Sequence, residues 1–397
     1  MGRPKKETSS TTGHVSVDVT ENRDDLLVNL ANQLNKNNKD GGKIAFFLDE
    51  QEDPSSITDW ISTGNSILDL AISNKPHGGL PVGRMVELTG LEGTGKSLIS
   101  AHICAETQKK GGKAIVIDTE NSAAPEFWSS LGVNLSSLLY IQRETVEEIF
   151  EVMEQSIAYV RKNNPDTLLT IIVDSVAGAS TKAELESEHG KDGYATGKAI
   201  IVSKALRKIT NMVGRQRVLI VFTNQLRVNI NAMAFGDKYT VSGGKAMAYH
   251  CSVRVRLNNT GKLKKGDVVI GNKCKAVVVK NRMGPPFREA EFDIYYDSGI
   301  ADYASWLSVA KKNNIIEQKG AYYSFNDLKN PKNIAFNGNN FQSSDFVKLM
   351  IENPDLEDEL YLKICDAVIM KYKTPNSVIV EDAQLDDGEE VAESESE

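Results

Sequence analysis

Eight consecutive residues, Gly90-Leu91-Glu92-Gly93-Thr94-Gly95-Lys96-Ser97, join a glycine-rich turn to an ammonium and a hydroxyl. Backbone N–H groups in such a turn can curl around phosphate oxygens, and a helix starting at the lysine adds a favourable dipole. In the pattern G-x-x-x-x-G-K-[ST], Lys96 reaches the β- and γ-phosphates of a nucleoside triphosphate and Ser97 offers its hydroxyl to Mg2+. The complementary acid belongs at the end of a buried strand. Asp174, which follows the apolar stretch from Leu168 to Val173, supplies it and is placed to hold the magnesium shell. An apolar strand ending in Asp is by itself more often structural; beside a glycine loop it completes a site. Asp118-Thr119-Glu120 closes another apolar strand, and Glu120 is the candidate base for an attacking water, its alternative being a solvent-facing Glu. These residue types imply ATP with Mg2+, and ATP hydrolysis.

The elements that must position them follow from periodicity. Met85–Thr89 reads as a strand entering the glycine loop and Lys96–Lys110 as the helix leaving it. Apolar strands are expected at Ala114–Asp118, Leu138–Gln142, Leu168–Asp174 and Val218–Thr223, with helices near Glu144–Arg161 and Ala195–Val213 between them. Alternating helices and almost wholly apolar strands mean an α/β fold with a mostly parallel sheet covered on both faces. Further strands are expected at Val253–Leu257, Cys274–Lys280 and Glu291–Tyr295. Ahead of the core, Leu26, Leu27, Leu30, Ala31 and Leu34 fall at helical spacing, and Gly42–Leu48 reads as a short strand. Beyond about Gly299 the shorter, mixed pattern fits a small α+β domain.

Composition narrows the class. The 397 residues are 40% apolar and 25% charged, enough for a substantial core. No run approaches the roughly 18 apolar residues of a membrane helix. The positive N-terminus lacks the apolar stretch of a secretory signal, and a cytoplasmic protein without membrane partners is expected. Cys104, Cys251, Cys274 and Cys365 have no metal-ligand spacing and read as reduced core residues. Residues 381–397 hold nine acids and no Lys or Arg, so the net charge of −8 leaves a body near +1 with an acidic tail. That tail is either a solubility device or a mimic of nucleic-acid charge competing for a basic surface. The start, Gly2-Arg3-Pro4-Lys5-Lys6, partly resembles a minor-groove-binding hook but reads first as a basic tail.

Several segments converge on one family. Ile61-Ser62-Thr63-Gly64, Leu68-Asp69 and Gly78-Gly79-Leu80-Pro81-Val82-Gly83-Arg84 lead into the glycine loop. Lys182–Glu186, Asn224-Gln225-Leu226-Arg227, Gly243-Gly244, Val279-Lys280-Asn281-Arg282, Pro286-Phe287 and Ala290-Glu291-Phe292 follow. In this order, over about residues 24–326, the chain resembles the bacterial RecA recombinases, as a divergent member of bacterial or phage origin. The resemblance implies a P-loop NTPase core of RecA type, with an N-terminal helix-strand segment for oligomerisation and a small α+β C-terminal domain. The corresponding boundaries are a polar tail 1–22, a polymerisation segment 23–58, an ATPase core 59–299, a C-terminal domain 300–380 and an acidic tail 381–397.

The same resemblance implies residue roles. Glu120 takes the place of the catalytic glutamate. Phe127 stands where the family usually stacks a tyrosine on adenine, and Ala124 replaces an aspartate that contacts the nucleotide. Gln225 matches the glutamine that senses the γ-phosphate. Lys280 and Arg282 match two lysines reaching a neighbouring subunit's ATP, with a planar fork replacing a point charge at 282. Tyr249 matches a phenylalanine that passes signals between subunits. Two loops, near 186–196 and 226–244, are expected to hold DNA through Lys191, Arg227, Asn229, Lys238, Gly243 and Gly244. Between them, Ser203 and Arg207 match positions near DNA. Lys204, Arg207 and Lys208 share a helical face that without the resemblance reads as solvated.

The implied function is a DNA-dependent ATPase that forms ATP-bound filaments on single-stranded DNA and exchanges strands with duplex DNA in recombination, repair and the SOS response. Partners are single- and double-stranded DNA and further copies of the chain, with single-strand-binding and loader proteins as further candidates. The alternatives are a hexameric motor of the same fold, or a non-catalytic mediator. The expected place is a bacterial cytoplasm or that of a phage-infected host.

Overall fold

A computed structural model describes residues 24–38, 43–48, 56–121, 123–186, 194–214, 216–228, 239–241, 244–326 and 340–372. Two compact units divide the chain at Asp59/Trp60. In the first, α1 (Asp25–Lys36) starts at Asp24, whose carboxylate accepts the Leu26 N–H at 2.9 Å. Asn35 folds the following segment back by accepting from the N–H groups of Ile44 and Ala45 and donating to the Ala45 carbonyl. The strand expected at 42–48 is a correction: residues 43–47 are irregular backbone and residue 42 lies outside the described residues. Its apolar residues fit a strand, but the backbone of Ile44 and Ala45 is engaged by the Asn35 side chain rather than in a strand ladder.

The second unit begins with β1 (Trp60–Ile61), α2 (Ser66–Ser73) and β2 (Leu80–Pro81). The nucleotide-site elements follow: β3 (Met85–Gly90), α3 (Lys96–Lys109), β4 (Lys113–Asp118), α4 (Pro125–Ser130), β5 (Leu138–Gln142), α5 (Val146–Asn163) and β6 (Leu169–Asp174). After α6 (Lys182–Leu185) come α7 (Tyr194–Val213), β7 (Val218–Val228), β8 (Tyr239–Val241) and α8 (Gly244–His250). Next are β9 (Val253–Lys265), β10 (Val268–Asn281), β11 (Glu289–Tyr295) and β12 (Gly299–Ala301). A small C-terminal α+β module holds α9 (Asp302–Lys312), β13 (Ile316–Lys319), β14 (Tyr322–Phe325), β15 (Asn340–Phe341), α10 (Ser343–Glu352) and α11 (Pro354–Val368).

The central sheet runs β12-β11-β10-β9-β3-β7-β6-β4-β5, with β8 also on β7. From β9 to β5 every neighbour is parallel, as the apolar strands require; β10 to β12 extend the sheet antiparallel. Period-two alternation splits the strands between two cores. Ala114 and Val116 of β4 join α2, α3 and the C-terminal module on one face, while Ile115 and Ile117 face α5 and α7 on the other. Both helix starts carry their chemistry: Thr145 caps α5, and Thr181 with Glu184 forms a capping box on α6. Glu87 on β3, fully buried, pairs with Arg254 opposite it on β9 at 2.5 Å and accepts from Asn224 of β7 at 2.9 Å. This tie joins three central strands side by side.

The strands expected over 253–257 and 274–280 are the inner halves of a much longer hairpin, β9 with β10. In the outer half β9 is polar and mostly exposed, and β10 runs Val268-Val269-Ile270 into Gly271 without alternation, so neither carries the pattern of a half-buried strand. β7 likewise runs on past Thr223 into the pairing with β8. All four cysteines are free and buried. Among the described residues no helix is long and apolar enough to cross a membrane.

Candidate nucleotide site and its surroundings

The carboxyl ends of β3, β4, β6 and β7 lie along one edge of the sheet, with Gly90 opposite Gln225 and Asp118 opposite Asp174. A parallel α/β sheet presents ligands at that edge. The glycine loop connects β3 to α3, and Gly95 precedes the helix in the left-handed region at φ 95°. Lys96 Nζ donates to the carbonyls of Gly90 at 3.1 Å and Leu91 at 2.9 Å. Burial lowers the Lys96 pKa, opposed by the negative charges of Asp174, Glu120 and Glu92.

Asp174 is nine-tenths buried and receives two hydroxyls, Ser97 Oγ at 2.7 Å and Thr223 Oγ1 at 2.6 Å. Burial pushes its pKa up, Asp118 and Glu120 push the same way, and the two hydroxyls counter them. Glu120 is held twice: its N–H donates to Asp118 Oδ1 at 2.7 Å, and its Oε1 accepts from Ser175 Oγ at 2.6 Å. Gln225 Nε2 donates to Glu92 Oε1 at 2.8 Å and so ties β7 to the glycine loop. The fold therefore brings Lys96, Ser97, Asp174, Glu120 and Gln225 to one place.

Sequence reasoning missed other members of this shell. Thr223 and Ser175 orient the acids. Asn272 on β10 donates to the Gly93 carbonyl at 3.2 Å, and Tyr296 OH donates to Asn272 at 2.9 Å. None lies in a motif with a fixed offset from the loop. Asn272 and Tyr296 arrive only because β10 and β11 extend the sheet beside it. Phe127 sits half-buried on α4 against the core, one turn after the exposed helix cap Ala124.

Lys280 and Arg282 lie elsewhere, where β10 ends against α8. Lys280 Nζ donates to the Ala248 carbonyl at 2.6 Å and the Tyr249 carbonyl at 3.0 Å; Arg282 donates to the latter at 3.1 Å. The neighbouring Tyr249 is 70% exposed. Burial lowers the His250 pKa, and the positive charges of Arg207, Arg282 and Lys280 lower it further. That places Arg207 of α7 in the same cationic neighbourhood. Ser203 is half-buried on α7 and Arg207 exposed. Lys208 pairs with Glu154 of α5 at 2.5 Å, which engages one member of the expected three-cation face. Lys191, Asn229, Lys238 and Gly243 lie outside the described residues, as do residues 1–22 and 381–397. Arg227 and Gly244 are in β7 and α8, on the two flanks of the second loop.

The family model for the RecA N-terminal domain matches residues 28–301 of this chain. Protein RecA of Allochromatium vinosum is 39% identical over 313 residues, covering 78% of this chain and 84% of the relative. The chain belongs to the RecA family. Similar extents are shared with Protein RecA of Clostridium acetobutylicum, 40% identical over 73% of this chain and 80% of the relative. Protein RecA of Rhodopirellula baltica is 36% identical over 85% of this chain and 84% of its own. As a member of the RecA family, the chain is a DNA-dependent ATPase of recombination, repair and the SOS response, an ATP-binding protein that binds DNA and self-associates.

Proposed function

We propose that this RecA-family chain binds ATP with Mg2+ at the glycine loop, polymerises on single-stranded DNA and exchanges strands with homologous duplex. The carrying observation is the 2.7 Å bond between Ser97 and Asp174, with Glu120 and Gln225 grouped around the same loop. A hydroxyl and a carboxylate suit a hard cation, and Mg2+ ordinarily completes its shell with water and phosphate oxygens. No group of three or more candidate His, Cys, Asp or Glu ligands occurs among the described residues, so the nucleotide's phosphates would supply much of that shell. When bound, the ion would neutralise charge developing on the phosphates.

Lys96 would exchange its loop carbonyls for β- and γ-phosphate oxygens, and the backbone of Gly90–Ser97 would cradle them. Glu120 would take the proton of the attacking water. Phe127 would offer a ring face to the base. Gln225, tied to Glu92 on one side and continuing along β7 into the second DNA loop on the other, would report the γ-phosphate to the DNA-binding surface. Lys280 and Arg282, displayed at the far end of β10 beside Tyr249, would complete a neighbouring subunit's site. Hydrolysis would then require the assembled filament. The DNA would meet Lys191, Ser203, Arg207, Arg227, Asn229, Lys238, Gly243 and Gly244. Residues 23–58 would serve polymerisation, 59–299 the ATPase and 300–380 a separate C-terminal role. A bacterial or phage-infected cytoplasm, with single-strand-binding and loader proteins, would be its setting.

Steady-state ATP turnover with and without single-stranded DNA tests this reading. The expected outcome is strong stimulation by DNA, lost in Glu120→Ala while nucleotide binding persists. Turnover indifferent to DNA, or retained by the variant, would refute it.

A further inference from the structure

Asp118 is 2% exposed, and its two oxygens face different tasks. Oδ1 accepts the N–H groups of Glu120 at 2.7 Å and Asn121 at 2.9 Å, folding the chain sharply as it leaves β4. Asn121 takes the left-handed conformation at φ 54° in that turn. Oδ2 accepts from the hydroxyl of Tyr140 at 2.8 Å.

Tyr140 comes from β5, the outermost parallel strand, where it lies opposite Val116 and two residues before Gln142, the partner of Asp118. Side chains two residues apart share a face of the sheet, so the ring reaches along that face to the end of β4. Though 37% of the residue is exposed, its hydroxyl is engaged with a buried carboxylate. Partial burial and that bond raise the phenol's pKa, so the hydroxyl, protonated at neutral pH in any case, stays a donor further into the alkaline range.

We propose that Tyr140 is a positioning residue for ATP hydrolysis: by fixing Asp118 it fixes the turn that presents Glu120 to the attacking water. Two anchors act on Glu120 from opposite sides. Ser175, next to Asp174, holds the carboxylate, and Asp118 holds the backbone from the β5 side. Losing the phenol removes a charge-assisted bond from Asp118 Oδ2, so the anchor that Asp118 gives the backbone of the turn loosens. The Tyr140 hydroxyl bonds no residue of the glycine loop, so its loss is expected to act on turnover far more than on nucleotide affinity. The proposal rests on Glu120 being the base.

The test is Tyr140→Phe, which keeps the ring and its packing. Loss of one bond to a charged group, acting through a displaced base, should lower DNA-stimulated kcat about five- to twentyfold. The KM for ATP and the affinity for ADP should stay within about twofold. In a Glu120→Gln background the same change should cost nothing further, because the group it positions is gone. Unchanged kcat in Tyr140→Phe, beside an inactive Glu120→Gln, would overturn the positioning role and leave the base intact. An equal loss in both backgrounds, or a loss of kcat with matching losses of ADP affinity and thermal stability, would also overturn it. Near-normal turnover in Glu120→Gln would instead overturn the base assignment itself.

Discussion

The glycine loop shows two separate reasons for a missing side chain. At Gly90 a Cβ would stand 2.9 Å from the Leu257 carbonyl and 2.3 Å from Thr94 Oγ1, so the restriction is the close approach of backbone and loop. At Gly95 the nearest atom, 2.6 Å away, is the end of the Ile294 side chain, which can yield; the restriction there is φ 95°. Ala at 95 is therefore expected to destabilise the fold by about 1–3 kcal/mol and to weaken nucleotide binding by retracting the N–H groups of the helix start. Denaturant unfolding and ADP titration measure the two effects. For Glu120→Ala, removal of a general base is expected to cost about 100-fold or more in kcat, with ADP affinity preserved because Lys96 and Ser97 are untouched.

Among the elements, α2 carries a carboxylate with an unusual titration. Asp69 is buried and bonds the Ser62 hydroxyl at 2.5 Å, the Thr63 N–H at 2.8 Å and the Thr63 hydroxyl at 2.7 Å. Burial nevertheless dominates and raises its pKa to about 7, with the negative Asp302 pushing the same way. The folded protein thus keeps a proton on Asp69 between about pH 4 and 7 that the unfolded chain releases. Stability from this group is fully present below about pH 4, falls as pH climbs and levels off above about 7. Asp69→Asn removes that titration. The melting temperature of the variant relative to the parent should rise by a few degrees from pH 5 to pH 8; a flat difference would contradict the assignment.

At the scale of the whole molecule, α1 buries no residue, and Leu26, Leu27, Leu30 and Leu34 are all at least 44% exposed. If residues 23–58 serve polymerisation, as proposed above, these four exposed leucines at helical spacing would be the apolar surface they offer. Replacing Leu27 and Leu30 by Ser should sharply reduce assembly on single-stranded DNA, read by light scattering. Melting of the isolated chain should barely move, since no core is disturbed. With a near-neutral body and an acidic tail, attraction for DNA has to come from local groups of cations rather than from net charge.

Sequence alone determined the parts of this protein that local rules govern. The phosphate loop has a fixed residue pattern because few backbones can wrap a phosphate, and the strands β3, β4, β6 and β7 were legible because burial on both faces leaves little room for polar residues. Asp174 and Glu120 were legible as acids at strand ends. Their neighbours were not. Thr223, Ser175 and Tyr140 have ordinary roles until the parallel register places them beside an acid; Asn272 and Tyr296 reach the loop across residues remote in sequence. The outer half of the β9–β10 hairpin escaped notice because neither strand alternates there: β9 is polar, and the short apolar run of β10 stops at Gly271. The segment near 43–48 was misread because its apolar content gave no sign that the Asn35 side chain, rather than a strand, would bond its backbone. Only the tertiary structure decided these points, since register and neighbour identity depend on which strands meet, and no window of sequence contains both.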